Sequence, residues 1–559
     1  MAKYLIVGGV AGGATAAARL RRLDETAEII IFERGGSVSY ANCGLPYHIG
    51  GVIPERGGLL LQTAKGFYDR YRVEVRLGQE VTAIDRANKR VTVKRLDSVD
   101  GGQASSGESY EEGYDKLLLA PGAHPTMPEA DDEAKSQIFS LHTIADMDRV
   151  IDFIDQRQAA RAVVIGGGFI GLETAENLIQ RGLEVTLVQR SGQVMPPLDA
   201  EMAGLLHEKL KAGGVNLMLN SPIQGIHKDG DALKIELASG QSLSTDFIIA
   251  AIGVKPLNTL AVDAGLAIGK SGGISVDAQM RSSDPDIYAV GDAVEITNLV
   301  TQGKQPVALA GPANKQARIA ADNICGIPSL YKGSQASSVL KVFEATAAMT
   351  GINEKLAKAE GLDYDKVYLF GPSHAGYYPG SQEMLIKVLF EKPSGRILGA
   401  QIVGQEGSDK RADILATAIR SGYTATDLTE LELCYAPPYS SAKDPVIVAG
   451  LMIENLLTGK VSQFHWHDVA DLPRDGSVQL LDVRTMDEHS RGAIEGFKNI
   501  PVDELRERLS ELDQKRPVYL HCQSGLRSYI ATRILLQNGF KARHLNGGYK
   551  LYKMFMQKG

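Results

Sequence analysis

Two cysteines in this 559-residue chain stand where a thiol can do chemistry. Cys43 lies in Ser39-Tyr-Ala-Asn42-Cys43-Gly-Leu-Pro-Tyr-His48, and His48 takes the place where a second cysteine would close a short internal disulfide. A lone redox thiol must instead cycle through a sulfenic acid or a mixed disulfide with a small thiol. Cys43-Gly-Leu-Pro reads as a helix start, whose positive end favours the thiolate. Cys522 lies in His521-Cys522-Gln-Ser-Gly-Leu-Arg527-Ser528, after an apolar strand and before a helix. Loop N–H groups can therefore surround its sulfur, and Arg527 adds charge, so a low-pKa thiolate in an anion nest is expected. Cys325 and Cys434 sit in no motif and read as structural. His465 and His467 flank Trp466 without a third ligand nearby, so no metal is expected.

The elements that must position these thiols begin with two similar segments. Tyr4-Leu-Ile-Val-Gly8-Gly-Val10-Ala-Gly-Gly13 leads into an alanine-rich helix and then the strand Glu28–Phe32, which ends at Glu33. Ala162-Val-Val-Ile-Gly166-Gly-Gly168-Phe-Ile-Gly171 leads into a helix over Leu172–Arg181 and a strand ending at Gln189. Both are strand–glycine turn–helix–strand units, in which phosphates sit on N–H groups at a helix N-terminus. Two such units predict two nucleotide sites. The second has the full G-x-G-x-x-G, whereas Val10 replaces the middle glycine of the first. Glu33, about twenty residues after Gly13, suits a ribose 2′-OH. Gln189 followed by Arg190 does not repel a 2′-phosphate, so these residues leave NADH against NADPH open.

Further along, Asp97–Gly113 is polar and reads as a solvated insertion at a hairpin tip. Residues 335–455 hold mixed strands and a helix near Asp409–Ser421. A polar join, Thr458–Gln463, precedes a small α/β domain with strands Val478–Val483 and Val518–Leu520 and a helix over Tyr529–Asn538. The net charge of −7 argues against nucleic-acid binding. Four cysteines cannot frame so long a chain with disulfides, so a reducing cytoplasm is expected. The longest apolar runs, such as Phe247–Val254 and Pro445–Ile453, fall short of the ~18–20 residues that span a membrane. No signal peptide is expected, since Met1-Ala2-Lys3 leads straight into a strand.

Strands ending in glycine turns at Gly122 and Gly253, and Asp286-Ile-Tyr-Ala-Val-Gly291-Asp292, complete a pattern. With the two glycine units, it resembles the pyridine nucleotide-disulphide oxidoreductase family over about residues 1–455. The resemblance implies that Gly8, Gly13 and Glu33 bind FAD, with Asp292 on its ribityl chain. It implies that Gly166, Gly168 and Gly171, with Gln189 and Arg190 beside them, bind the nicotinamide nucleotide. Among single-cysteine members the closer match is to coenzyme A-disulfide reductases, through the Cys43 motif and Tyr435-Ala-Pro-Pro-Tyr439-Ser-Ser-Ala-Lys443. Thr15, Arg19, Arg22, Ser39, Asn42, Asn314 and Lys443 are then coenzyme A contacts. Arg19 and Arg22, at i and i+3 on one helix face, suit a nucleotide phosphate. Tyr71-Arg72 stands where a further lysine contact is expected. Tyr377 and Tyr435 would reach Cys43 of the partner subunit in a homodimer, with Tyr378 and Tyr439 as neighbouring alternatives.

Leu481-Asp482-Val-Arg484, Glu488, Gly492-Ala-Ile, Asn499-Ile-Pro501 and the Cys522 loop look like a rhodanese domain. The loop is Cys-x-x-x-x-Arg, one residue shorter than the corresponding phosphatase loop, which suits a sulfane sulfur better than a phosphate. Ala493 stands where rhodaneses commonly have histidine. The whole chain resembles coenzyme A-disulfide reductase/rhodanese fusions, including NADH-dependent persulfide reductases. The expected fold is α/β: two Rossmann-like nucleotide-binding domains, an α+β dimerisation domain and a C-terminal α/β rhodanese domain. The expected bounds are 1–145 and 263–330 for FAD, 146–262 for NAD(P)H, 331–457 for dimerisation and 464–559 for rhodanese. The resemblance implies that Cys522 takes sulfane sulfur from persulfides or polysulfides and passes it to coenzyme A. Cys43 then attacks the coenzyme A persulfide, and electrons from NADH through FAD restore it. Simple reduction of coenzyme A disulfide is the alternative of the same class, and a redox sensor or sulfur carrier the alternative of another.

Overall fold

The computed structural model describes residues 1–96 and 107–556. The chain divides into two compact units: residues 1–196 with 210–336, and residues 197–209 with 337–559.

The first unit holds two five-stranded parallel sheets. One runs Ile287–Ala289, Lys116–Leu119, Lys3–Val7, Glu28–Glu33, Glu74–Leu77. The other runs Asn216–Met218, Glu184–Val188, Arg161–Ile165, Phe247–Ala250, Ile138–Phe139. Parallel strands covered on both faces read as unbroken apolar runs, and Leu5, Ile6 and Ile29–Ile31 are accordingly buried. In each sheet the central strand ends at a glycine whose N–H bonds the next strand: Gly8 to Phe32 O at 2.9 Å and Gly166 to Val188 O at 2.9 Å. The two glycine turns are thus held alike. Helix Ala11–Leu23 packs against helix Ala310–Ile324. Their seam is small-residue, with Ala14, Ala17, Ala313, Ala317 and Ala320 buried.

Strands Arg90–Arg95 and Ser109–Gly113 pair antiparallel. The polar insertion expected between them lies, over 97–106, outside the described residues.

The second unit begins with an antiparallel sheet in the order Ser338–Val342, Ala345–Gly351, Ile397–Gly404, Glu383–Glu391, Tyr364–Pro372. Helices Ser408–Ser421 and Pro445–Leu457 pack on it. A parallel sheet follows: Gln463–Phe464, Ala542–Leu545, Val518–His521, Gln479–Asp482, Lys498–Asn499. The two are joined by more than the linker. Gln463 donates to Asp365 (3.1 Å) and to Lys366 O (2.9 Å), His465 pairs with Asp365 at 3.0 Å, and Asn546 accepts from the Tyr368 N–H at 2.6 Å.

Residues 197–209 belong to the second unit, because Asp199 and Glu201 are held there by the fully buried Lys387. Its ammonium donates to Asp199 (2.7 Å), Glu354 (2.5 Å) and Glu201. Asp199, Glu201 and Glu354 are close enough to hold a metal ion, and the Lys387 ammonium is the cation they share.

Candidate active sites

The first and last glycines of each turn are dictated by the protein itself. A Cβ on Gly8 (φ +94°) would lie 2.1 Å from Ala120 O, and one on Gly13 1.8 Å from Gly8 O. The second turn repeats this: Gly166 (φ +103°) meets Ala251 O at 2.3 Å and Gly171 meets Gly166 O at 1.9 Å. The middle position differs. A Cβ on Gly168 meets nothing within 4 Å, so Val10 fits the equivalent place without strain. That position matters only for the approach of a ligand.

The residue closing each unit also plays one part in both. Glu33 accepts from the N–H of Gly9 at 2.8 Å and of Gly35 at 2.8 Å. Gln189 accepts from the Gly167 N–H at 3.0 Å and donates to Ser191 Oγ at 2.6 Å. Each braces its own glycine turn, and a carboxylate such as Glu33 keeps further lone pairs for a ribose. Arg190 is exposed beside Gln189. A cleft of about 380 Å³ opens beside Gly8 and Glu33, walled by Val81, Pro121 and Leu260. A turn with no room for a Cβ at Gly8 and Gly13, a helix N-terminus, a carboxylate with spare lone pairs and an adjoining cleft fit a dinucleotide. Asp292 follows on a short turn, Gly291–Ala293, fixed by a bond from Gly291 N–H to Gln316 at 2.7 Å. Burial pushes the Asp292 carboxyl up to about 6.

Cys43 lies on a 3-10 turn, Asn42–Gly44, that runs into a one-turn helix, Leu45–Ile49. The expected thiolate-favouring helix start is not what its surroundings deliver. The Cys43 side chain reaches solvent, yet burial, then Glu173, then Asp292 push its thiol up. Two carboxylates and desolvation outweigh the dipole of so short a helix. Asn42 Oδ1 accepts from the Cys43 N–H at 3.1 Å and faces its sulfur at 3.8 Å. Glu173 comes from the helix after the second glycine turn, Phe169–Gln180, which packs on Leu45–Ile49. Burial pushes the Glu173 carboxyl up, and Tyr47 donates to it at 3.1 Å. Sequence reasoning missed Glu173 and Tyr47, since nothing local ties either to the thiol.

Of the expected coenzyme A contacts, Thr15 and Asn314 meet across the helix seam, with Thr15 Oγ1 donating to Asn314 Oδ1 at 2.8 Å. Arg19 pairs with Asp322 at 2.7–2.8 Å, and Arg22 is exposed. Ser39 has φ +49° and donates its N–H to Gly9 O at 2.8 Å, which ties the cysteine segment to the first glycine turn. Lys443, exposed, belongs to the second unit. So do Tyr377 and Tyr435, whose hydroxyls lie 3.1 Å apart on an exposed surface. Tyr378 instead packs edge-on to His374, and Tyr439 is exposed.

The Cys522 loop is built differently. Cys522 is buried, 1% exposed. Its sulfur accepts from the Gly525 N–H at 3.1 Å and lies 3.4 Å from Ser528 Oγ. Gly525 (φ +125°) makes the turn that aims this N–H, and helix Leu526–Gln537 starts directly after it, three residues earlier than expected. The loop carbonyls are drawn outward: Cys522 O accepts from Tyr549 N–H at 2.8 Å and Gln523 O from Lys550 N–H at 2.9 Å. The loop thus shows the Gly525 N–H to the sulfur and its carbonyls to the next helix. The Arg527 guanidinium, expected to add charge to this loop, grips both oxygens of Glu488, at 2.6 and 2.7 Å. Beneath the loop, buried Asp482 holds Arg484 (2.7–3.1 Å) and His489 (2.8 Å). His521 is fully enclosed, and burial pushes it down to about 4.

Residues 2–317 match the pyridine nucleotide-disulphide oxidoreductase family, residues 337–445 the dimerisation domain of that family, and residues 465–554 the rhodanese-like domain. A coenzyme A disulfide reductase of Staphylococcus haemolyticus is 36% identical over 457 residues, covering 82% of this chain and all of that protein. Among solved structures, reduced CoADR-RHD of Bacillus anthracis is 46% identical with a TM-score of 0.95, over 100% of this chain and 98% of that one. An NAD-dependent persulfide reductase from A. fulgidus is 38% identical with a TM-score of 0.89, over 98% of this chain and 100% of that one.

Proposed function

The chain belongs to the pyridine nucleotide-disulphide oxidoreductase family, and from that premise we propose that it is an FAD-dependent NAD(P)H oxidoreductase that reduces persulfides and polysulfides to hydrogen sulfide by way of coenzyme A. The observation that carries this reading is the pairing, in one chain, of a lone solvent-reaching thiol at Cys43 with a buried thiol at Cys522 whose sulfur accepts a loop N–H at 3.1 Å.

The residues divide the work as follows. The Cys522 thiolate takes the outer sulfur of a persulfide RSS⁻, giving Cys522–S–S⁻ and releasing RS⁻. A coenzyme A thiolate carries that sulfur off as coenzyme A persulfide, leaving Cys522 as before. The Cys43 thiolate attacks the inner sulfur of the coenzyme A persulfide, CoA–S–SH, expels HS⁻ and forms a Cys43–S–S–CoA mixed disulfide. The chemistry that bound FAD would supply is two-electron transfer from the nicotinamide nucleotide to the mixed disulfide, so that Cys43 and coenzyme A return to thiolates. Gly8, Gly13, Glu33 and Asp292 would hold the flavin, and Gly166, Gly168, Gly171 and Gln189, with Arg190, the nicotinamide nucleotide. Thr15, Arg19, Arg22, Ser39, Asn42, Asn314 and Lys443 are proposed for coenzyme A. Tyr377 and Tyr435, a paired phenol surface, donate a proton to the leaving sulfur at Cys43 of the partner subunit in a homodimer. NADH is favoured over NADPH by the similarity to an NAD-dependent persulfide reductase, while Gln189 and the exposed Arg190 do not repel a 2′-phosphate. Four free thiols support a reducing, cytoplasmic setting, and no helix among the described residues is long and apolar enough to cross a membrane.

Reduction of coenzyme A disulfide is a second reading, favoured by a relative of that name matched over its full length. The test is anaerobic turnover of NADH by the purified protein with coenzyme A persulfide and with coenzyme A disulfide, sulfide release being measured alongside. Sulfide released in step with NADH oxidation supports persulfide reduction. Turnover of the disulfide alone supports the second reading, and no turnover with either supports a sensor or carrier.

A further inference from the structure

The ion pair between Glu488 and Arg527 bears on which sulfur donors the Cys522 loop accepts, a question that rests on the reading above of Cys522 as the sulfur-accepting thiol. A thiosulfate-type donor presents a sulfonate with three oxygens and must release a sulfite dianion. Oxyanions of that shape are recognised by guanidinium forks. Two arginines belong to the network around this loop, and each has its fork filled. Arg484 is held by Asp482 at 2.7–3.1 Å and by Gly492 O at 2.7 Å, over the Tyr549 ring. Arg527 spends both terminal nitrogens on Glu488.

Glu488 is not a wandering surface acid. It is the third residue of helix Met486–Ser490, and its Oε2 accepts from the N–H (3.0 Å) and hydroxyl (3.1 Å) of Thr485 in a reciprocal cap. The same carboxylate thus closes a helix end and fixes Arg527, so it cannot leave the guanidinium without uncapping the helix. What the loop still shows the sulfur is backbone N–H, as from Gly525. That suits one terminal sulfur rather than a three-oxygen head.

We infer that Glu488 is a specificity-determining residue of the Cys522 site: by occupying the Arg527 fork it denies that fork to donor oxyanions, so the loop takes sulfur from thiol persulfides and discriminates against sulfonate-capped donors of the thiosulfate class. Both transfers load the same thiol. A persulfide RSS⁻ and the Cys522 thiolate give Cys522–S–S⁻ and RS⁻. Thiosulfate and the same thiolate give Cys522–S–S⁻ and sulfite.

The test follows sulfur loading of Cys522 in the full-length holoenzyme by mass spectrometry, with thiosulfate and with cysteine persulfide as separate donors. Glu488→Gln keeps a capping oxygen but removes the charge that holds Arg527. The ratio of thiosulfate to persulfide loading should rise about tenfold to a hundredfold, the worth of one charge-assisted contact. Glu488→Asp guards against a folding defect. Aspartate closes the helices after Thr143 and Thr424 in the same reciprocal way, but its shorter arm loses the two-point grip on Arg527; a smaller rise in the same direction is expected. Adding Arg527→Met to Glu488→Gln should abolish the rise. The inference is overturned if the parent protein loads equally from both donors, or if the ratio moves in neither variant. Loading from neither donor in the parent overturns the reading of Cys522 itself, and this inference with it.

Discussion

Cys43 and Cys522 are held in opposite ways. Cys43 reaches solvent, rests on a single helical turn and has its thiol pushed up by burial and by Glu173 and Asp292. Cys522 is buried, takes an N–H from Gly525 and stands at the start of a twelve-residue helix. The difference matches two tasks. A thiol that forms a mixed disulfide with a large carrier must be reachable and must let go again. A thiol that holds a terminal sulfur must shield it from water and support its charge with fixed dipoles.

The largest test of this contrast is Cys43→Ser. Turnover of coenzyme A persulfide, measured as NADH oxidation, should fall by roughly a thousandfold or more, the scale of losing a nucleophile. The flavin spectrum of the purified variant should be retained; turnover at the parent rate would erase the distinction between the two thiols. Cys522→Ser should act more selectively. Turnover of polysulfide or bulky persulfides should drop about ten- to a hundredfold, the scale of removing a positioned acceptor, while preformed coenzyme A persulfide is reduced at nearly the parent rate. Equal losses on both substrates would place Cys522 in the reductive step.

Acid sharpens the comparison. His521 lies beneath Cys522 with its folded pKa near 4, below the ordinary histidine value. A folded pKa lowered in this way means the neutral ring is what the fold accommodates. Its stabilising contribution is complete above about pH 6.5 and is lost as pH falls toward about 4. Thermal unfolding followed on the rhodanese region should therefore show a falling Tm across that window, and His521→Gln should flatten the decline. The smallest expected effect is at Cys43. Glu173→Gln removes a carboxylate that disfavours the thiolate, so alkylation of Cys43 in the holoenzyme at pH 7.5 should quicken about two- to threefold, a modest gain for one partly screened charge. An unchanged rate would mean that burial and Asp292 set the thiol.

Much of this was legible in the residues themselves. Gly8, Gly13, Gly166 and Gly171 stand where the backbone leaves no room for a Cβ, a local demand that any such turn makes. The apolar runs at Tyr4–Val7 and Ala162–Ile165 announce strands buried on both faces. From Cys522 to Ser528 strand, glycine turn and helix follow one another along the chain, and that local order aims the Gly525 N–H at the sulfur. These features depend on neighbours in sequence, and the sequence by itself was enough for them.

What tertiary structure alone decided is where the charges meet. Glu173 faces Cys43 because two helices far apart in sequence pack together. Arg527 closes on Glu488, and Arg19 on Asp322. Residues 197–209 join the second unit because Lys387 gathers Asp199, Glu201 and Glu354. The physical reason is common to all of them. Electrostatic energy depends on separation and on the local dielectric, both of which exist only once the chain has folded, so a motif tells which groups are present but not which partner each has taken.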